Sequence, residues 1–152
     1  MPQQSAGLIL HRVRDGRQEV LLVHPGGPFW QKRDDGAWSI PKGELGENEG
    51  GIDVAKREFE EELGVKPPEG EFTTLGSVRQ AGGKVVNAWA LQGDLDVTRI
   101  HSNVFEIEWP PRSRRMRQFP EVDRAGWFAL DAARRKLVAA QAEFIDRLEA
   151  LA

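Results

Sequence analysis

Four glutamates stand within five residues in the stretch KREFEEELGV: Glu58, Glu60, Glu61 and Glu62. Read as a helix at about 100° per residue, Glu58, Glu61 and Glu62 fall within an arc of about 100°, and Glu60 points to nearly the opposite side. Like charges three and four apart repel by about 0.2–0.5 kcal/mol per pair on an exposed helix. The repulsion is stronger at the edge of a core, where the dielectric is lower. Ile52, Ala55, Phe59 and Leu63 form the apolar stripe that must face a core, and the three carboxylates flank it. Hard divalent cations such as Mg²⁺ take oxygen ligands and share them with waters and substrate phosphates. Such an ion would relieve the repulsion. The bland counterpart is a solvated acidic face balanced by Lys56 and Arg57.

The surroundings of the glutamates favour the ion. Gly43, five residues, Glu49, seven residues, then Arg57, Glu58, Phe59, Glu60, Glu61, Glu62, Leu63, Gly64 and Val65 run in order. This pattern resembles the box of the Nudix family, and every fixed position of that box is matched. Phe59 stands where an aliphatic is usual, and it is still a bulky core residue. The resemblance extends to WSIPKG just before the box. It implies a mixed β-sheet sandwiched between α-helices, an α/β fold. It also implies an enzyme that cleaves a pyrophosphate bond in a nucleoside diphosphate linked to another moiety, with Mg²⁺ or Mn²⁺. By position, Glu58 and Glu62 would be metal ligands, Glu61 a ligand or near-ligand, and the Lys42 carbonyl a further ligand. Gly43, Glu49, Arg57 and Gly64 would be structural members of the box.

The metal would neutralise charge on phosphoryl oxygens and activate a water, and a glutamate would serve as the base. In the family the base is Glu58 in the numbering of this chain, or a carboxylate beyond the box. Glu121 is the expected distal carboxylate, because FPEVDRAGWF resembles the family segment in which a Glu precedes a Trp-bearing strand. Glu106, Glu108 and Asp123 are its rivals.

SIPKG with an early AGLIL is most similar to the diadenosine tetraphosphate hydrolase branch of the family. That branch often carries a tyrosine after the box, and this chain contains no tyrosine. On the SIPKG and AGLIL resemblance, a dinucleoside tetraphosphate is the first candidate substrate. A (deoxy)nucleoside triphosphate or a diphosphoinositol polyphosphate is the alternative within the enzyme class. A non-catalytic Nudix-fold nucleotide-binding module is the alternative of another class, and such modules commonly lose box glutamates that this chain keeps.

Outside the box, RSRRMR holds Arg112, Arg114 and Arg115, which suit phosphate oxygens. As a bland alternative it is a solvated loop. In HPGGPFWQKRDDGAW, Trp30 with Arg33 could stack a base and touch phosphate. Trp38 is the second aromatic candidate there, with closure over the core as the competing reading for both tryptophans. Trp89, Trp109 and Trp127 lie on strand patterns and read as core. His11 and His101 read as surface or strand residues.

The elements that must hold these residues are legible in outline. AGLILHRV and EVLLVHP flank an Asp-Gly pair and read as a hairpin. AWSIPKGEL begins as a short strand that Pro41 and Gly43 stop. A helix runs from about Asn48 to Leu63, with Gly64 as its C-cap. FTTLGSVRQ and KVVNAWALQ make a second hairpin around AGG. VFEIEW alternates as a half-buried strand, PPRSRRMRQFPEVDRAG is a polar loop, and WFAL is a short strand. Asp131 then caps a final helix carrying Leu137, Val138, Phe144, Ile145 and Leu148.

The chain has 152 residues, a length for a single domain over 1–152. Hydrophobic residues make up 39% and charged residues 30%, a globular balance. A net charge of −3 gives no whole-domain basic face for duplex nucleic acid. The absence of cysteine excludes disulfides, thiolate metal sites and cysteine nucleophiles. No signal peptide is expected from MPQQSAGLIL, and no apolar run approaches the ~18 residues of a membrane span. The expectation is a cytoplasmic monomer or homodimer acting on a nucleoside polyphosphate, with no membrane partner.

Overall fold

Asp15 and Gly16 both take positive φ, 53° and 76°. That is the geometry of a tight hairpin turn matched to strand twist, and it folds β1 (Gln4–Arg14) back on β2 (Arg17–Pro25). The computed structural model describes residues 3–151. The remaining strands of the main sheet are β3 (Lys42–Glu44), β4 (Thr73–Arg79), β5 (Val85–Gln92) and β8 (Val122–Ala129). Their order is β4-β5-β1-β2-β8, with β3 paired to β1. β1 and β5 are parallel and the other pairs antiparallel, so the sheet is mixed. β6 (Val104–Glu108) and β7 (Met116–Pro120) form a separate two-stranded arm.

Both faces of the sheet are covered, which is why β1 and β2 read as near-continuous apolar runs. On one side Leu8, Leu10, Leu21 and Val23 pack with Val54, Ala55, Phe59 and Leu63 of α1 (Gly51–Leu63). On the other, Ile9, Val20 and Leu22 pack with α2 (Leu130–Lys136) and α3 (Ala142–Glu149) through Ala133, Phe144, Ile145 and Leu148. This is the expected α/β sandwich. Among the described residues no helix is long and apolar enough to cross a membrane.

Several boundaries differ from the sequence expectation. The strand near Pro41 follows the proline, as Lys42–Glu44, while Trp38 and Ser39 make only isolated bridges to Leu137 and Val23. α1 starts at Gly51, because Asn48 takes a positive φ of 61° that a helix cannot contain. Val54, rather than half-buried Ile52, completes its buried face. The supposed polar loop from Pro110 onward contains all of β7, and the short WFAL strand is the end of the longer β8. The closing helix is two helices. Asp131 lies inside the first turn of α2, where it pairs with Arg134, and it makes no cap.

Candidate active site

The box residues meet where α1 passes β3. Glu49 accepts from the Gly46 N–H at 2.8 Å and pairs with Arg57 at 2.9 Å, and Arg57 reaches Glu58 at 3.6 Å. Glu49 and Arg57 thus brace the first carboxylate of the cluster. Gly43 has a different reason: a Cβ there would overlap the Glu58 carboxyl group. The glycine leaves the space that Glu58 occupies. Gly64 ends α1 at φ 79°, its N–H donating to the Glu60 carbonyl at 2.7 Å.

Glu62 accepts from the Lys42 main-chain N–H at 3.1 Å. Burial pushes its carboxyl up to about 8, with the charges of Glu58 and Glu121 adding to the effect and the Lys42 N–H opposing it. Glu58 is also raised, first by burial and then by the Glu61 charge. The Lys42 ammonium is lowered by burial and by Lys84, against the pull of Glu62, Glu44 and Glu58. Glu60 is exposed on the other side of the helix.

Glu121 joins the cluster from some sixty residues away in the chain. It sits between β7 and β8, where its N–H donates to the Asn103 carbonyl at 2.8 Å, and the Asn103 N–H donates to the Glu61 carbonyl at 3.0 Å. Ser102 locks this clip, accepting from the Val122 N–H at 3.0 Å and donating to the Asn103 carbonyl at 2.8 Å. Burial and the Glu61 charge raise the Glu121 carboxyl. Of its rivals, Glu106 and Glu108 lie out along the arm, and Asp123 faces buried His24. Ser102 and Asn103 carry no motif signal, and sequence reasoning missed them. His101 serves α1 through its main chain, its N–H donating to the Leu63 carbonyl at 2.9 Å.

The loop from Gly26 to Pro41 overhangs the same region, tied to it by the Gly26 N–H on the Glu121 carbonyl at 2.9 Å. His24 is fully buried and holds the loop from below. Its Nε2 lies 2.6 Å from the Arg33 carbonyl oxygen and its Nδ1 2.8 Å from Asp123. A carbonyl can only accept, so Nε2 carries a proton. Trp30 is 38% exposed, with the Arg33 guanidinium 5.5 Å from its ring centre. Trp38 does not share that surface. It is 5% exposed, donates to Asp34 at 2.8 Å and packs edge-on against Phe128 and His24. The substrate role expected for Trp38 is corrected to a core role, because its ring is spent on packing. Trp109 is corrected in the opposite direction. It stands on the arm, half-buried, with its ring 5.4 Å from that of exposed Phe29. Arg112 and Arg114 lie in the turn of the arm at φ 62° and 60°, and Arg115 follows beside Trp109.

The donor set fits a hard divalent cation: carboxylate and carbonyl oxygens only, with half-buried carboxylates raised by desolvation and by one another's charge. Among the described residues no three side chains of His, Cys, Asp or Glu form a ready-made metal cage. Mg²⁺ suits such a site, since it keeps waters and recruits substrate oxygens. A surface groove of about 580 Å³, bordered by His11, Val13, Thr73 and Leu148, includes none of these residues.

A mixed sheet between helices, with this box at the α1–β3 contact, defines the class. The chain belongs to the NUDIX family, whose domain matches residues 1–148. Its class of enzyme is the Nudix pyrophosphohydrolase. Its fold is similar to that of the NUDIX domain of Shewanella oneidensis NrtR complexed with ADP ribose, with a TM-score of 0.68 and 18% identity, covering 100% of this chain and 90% of that one. It is also similar to a C. elegans Ap4A hydrolase binary complex, with a TM-score of 0.65 and 21% identity, covering 98% and 96%. A mutT/nudix family protein from Listeria innocua gives a TM-score of 0.64 at 17% identity, covering 99% and 94%. No curated protein sequence matches the chain.

Proposed function

We propose that the chain cleaves a pyrophosphate bond in a nucleoside polyphosphate, with a dinucleoside tetraphosphate as first candidate. The observation that carries this reading is the convergence of Glu58, Glu62 and Glu121, whose carboxyls are each raised by desolvation and by neighbouring negative charge. Mg²⁺ or Mn²⁺, held by Glu58, Glu61, Glu62 and the Lys42 carbonyl, would supply charge neutralisation at the phosphoryl oxygens and activation of a water.

The chain's own groups then have separable tasks. Glu121, fixed by Asn103, accepts the proton of the attacking water, with Glu58 as the alternative base. Glu49 and Arg57 hold Glu58 in place. Trp30 offers an aromatic face to a base, and Arg33 offers charge to phosphate. The resemblance to the Ap4A hydrolase fold supports the dinucleotide as the compound to try first.

The test is a screen with Mg²⁺ and Mn²⁺ over dinucleoside polyphosphates, (deoxy)nucleoside triphosphates, ADP-ribose and diphosphoinositols, with products identified by mass. Metal-dependent cleavage abolished by Glu62→Gln supports the reading. Full activity in that variant removes the cluster from the mechanism. Nucleotide binding without turnover of any compound makes the chain a binding module.

A further inference from the structure

The arm sorts its charges by face. β6 and β7 pair Phe105 with Phe119 and Ile107 with Arg117. The Trp109 N–H donates to the Arg115 carbonyl at 2.9 Å, which carries the pairing one step further. Side chains alternate along a strand and cross-strand partners share a face. Phe105, Ile107, Trp109, Arg115, Arg117 and Phe119 therefore lie on one face. Glu106, Glu108, Met116 and Gln118 lie on the other.

The first face is turned toward the loop that carries Trp30. A Cβ on Gly27 would lie 2.9 Å from the Phe105 ring, and Phe29 meets Trp109 edge-on. The same face carries two arginines, both exposed and neither within ion-pair distance of a carboxylate among the described residues. Arg117 lies 5.5 Å from the centre of the Phe119 ring. A solvated hairpin gains from opposite charges placed across from each other. Here Arg117 faces Ile107, and Glu106 faces Gln118. The acids are turned out and the bases turned in.

The arm is rooted in the carboxylate cluster, since Glu121 follows the last residue of β7. At about 3.3 Å per residue, the Arg117 backbone lies about 13 Å from that of Glu121 and Arg115 about 20 Å. A phosphate chain cleaved at the root and running outward would meet Arg117 and then Arg115. Guanidinium forks match phosphate oxygens in geometry and charge.

We propose that this inner face of the arm, with Arg117 and Arg115 beside Phe119 and Trp109, binds the part of the substrate beyond the cleaved bond and takes an extended polyphosphate chain. It rests on the hydrolase reading above. By spacing alone Arg115 groups with Arg112 and Arg114, and Arg117 does not stand out. Strand parity separates Arg115 and Arg117 from the turn.

The test combines a chain-length series with a binding measurement. Steady-state kinetics on dinucleoside tri-, tetra- and pentaphosphates and on ADP-ribose are compared for the native chain and Arg115→Ala/Arg117→Ala. The expected result is a KM raised about tenfold or more for the tetra- and pentaphosphates, kcat within about twofold, and little change for ADP-ribose. Arg115→Lys/Arg117→Lys retains part of the affinity, and Met116→Ala, on the outer face, changes nothing. An equal KM change across the series, or none, overturns the proposal. Calorimetry with inorganic tripolyphosphate gives a reading independent of turnover. Binding by the native chain that is lost in the double alanine variant supports the subsite, and unchanged or absent binding overturns it. A native chain that hydrolyses no member of the series refutes the dinucleotide as substrate, and the tripolyphosphate measurement then decides the subsite by itself.

Discussion

The two sides of the candidate site are built differently. The side made by β3 and α1 is acidic, partly buried and contributed by Lys42 to Gly64, a continuous piece of chain. The side made by the Gly26–Pro41 loop and the arm is cationic and aromatic, and it is largely exposed. It is assembled from segments near residues 30, 109 and 117. On the acidic side, burial makes every charge consequential, because desolvation raises what an unpaired carboxylate costs. On the cationic side, solvent screens each charge, and affinity accumulates from several modest contacts. On the proposed function, the chemistry falls to the first side together with Glu121, and substrate selection is spread over the second.

The largest effect that would break this contrast is at Glu62. Glu62→Gln is expected to lower kcat by more than about 10²-fold, since even groups supporting metal ligands carry about 10–100-fold. The same variant should be more resistant to unfolding than the native chain in metal-free buffer near pH 8, because it removes a buried charge. A loss of both activity and stability would show that Glu62 serves packing instead. Gly43→Ala probes the space under Glu58 and should reduce kcat by about 10–100-fold, the scale of a misplaced catalytic group. Circular dichroism should show the fold intact.

On the opposite side, Trp30→Ala should raise KM about tenfold with kcat nearly unchanged, the loss of one base-stacking contact. A kcat effect as large as that of Glu62→Gln would erase the division between the two sides. His24→Phe removes the tie to the Arg33 carbonyl and should raise KM a few-fold, by loosening the loop that carries Trp30.

A separate effect is a pH dependence of stability. The Glu62 carboxyl rises from its ordinary 4.5 to about 8 on folding. Below pH 4.5 both states hold the proton. Between 4.5 and 8 only the folded state holds it, so this group's contribution to stability declines as pH rises and is lost above 8. Thermal unfolding of metal-free protein across that window should show the decline, and added Mg²⁺ should flatten it, because binding to the folded state offsets the buried charge. A profile that rises with pH in the absence of metal would contradict the burial of Glu62.

The legibility of the molecule follows the same division. The α1 register was readable because helical periodicity is local, and Ala55, Phe59 and Leu63 lie on the buried stripe that their spacing requires. The first hairpin was readable from its Asp-Gly turn. β7 was hidden in a run of arginines, because its strand character comes from pairing with β6 and not from alternation of its own residues. Trp30 and Trp38 are both aromatic candidates by sequence, Trp30 in the more polar context, and packing against Phe128 and His24 separates them. Arg117 was one arginine among four until strand parity gave it a face.

The sequence by itself determined the acidic cluster, its glycine and arginine supports, and the family to which they point. These depend on spacing within one helix and the strand before it, and the 3.6-residue repeat converts such spacing directly into geometry. Only the tertiary structure decided that Asn103 clips Glu121 to α1, that His24 holds the Arg33 loop, and that Arg115 and Arg117 share a face with Trp109. Each of these is a contact between segments far apart in the chain. Such contacts are set by sheet register and core packing, and no short-range pattern encodes them.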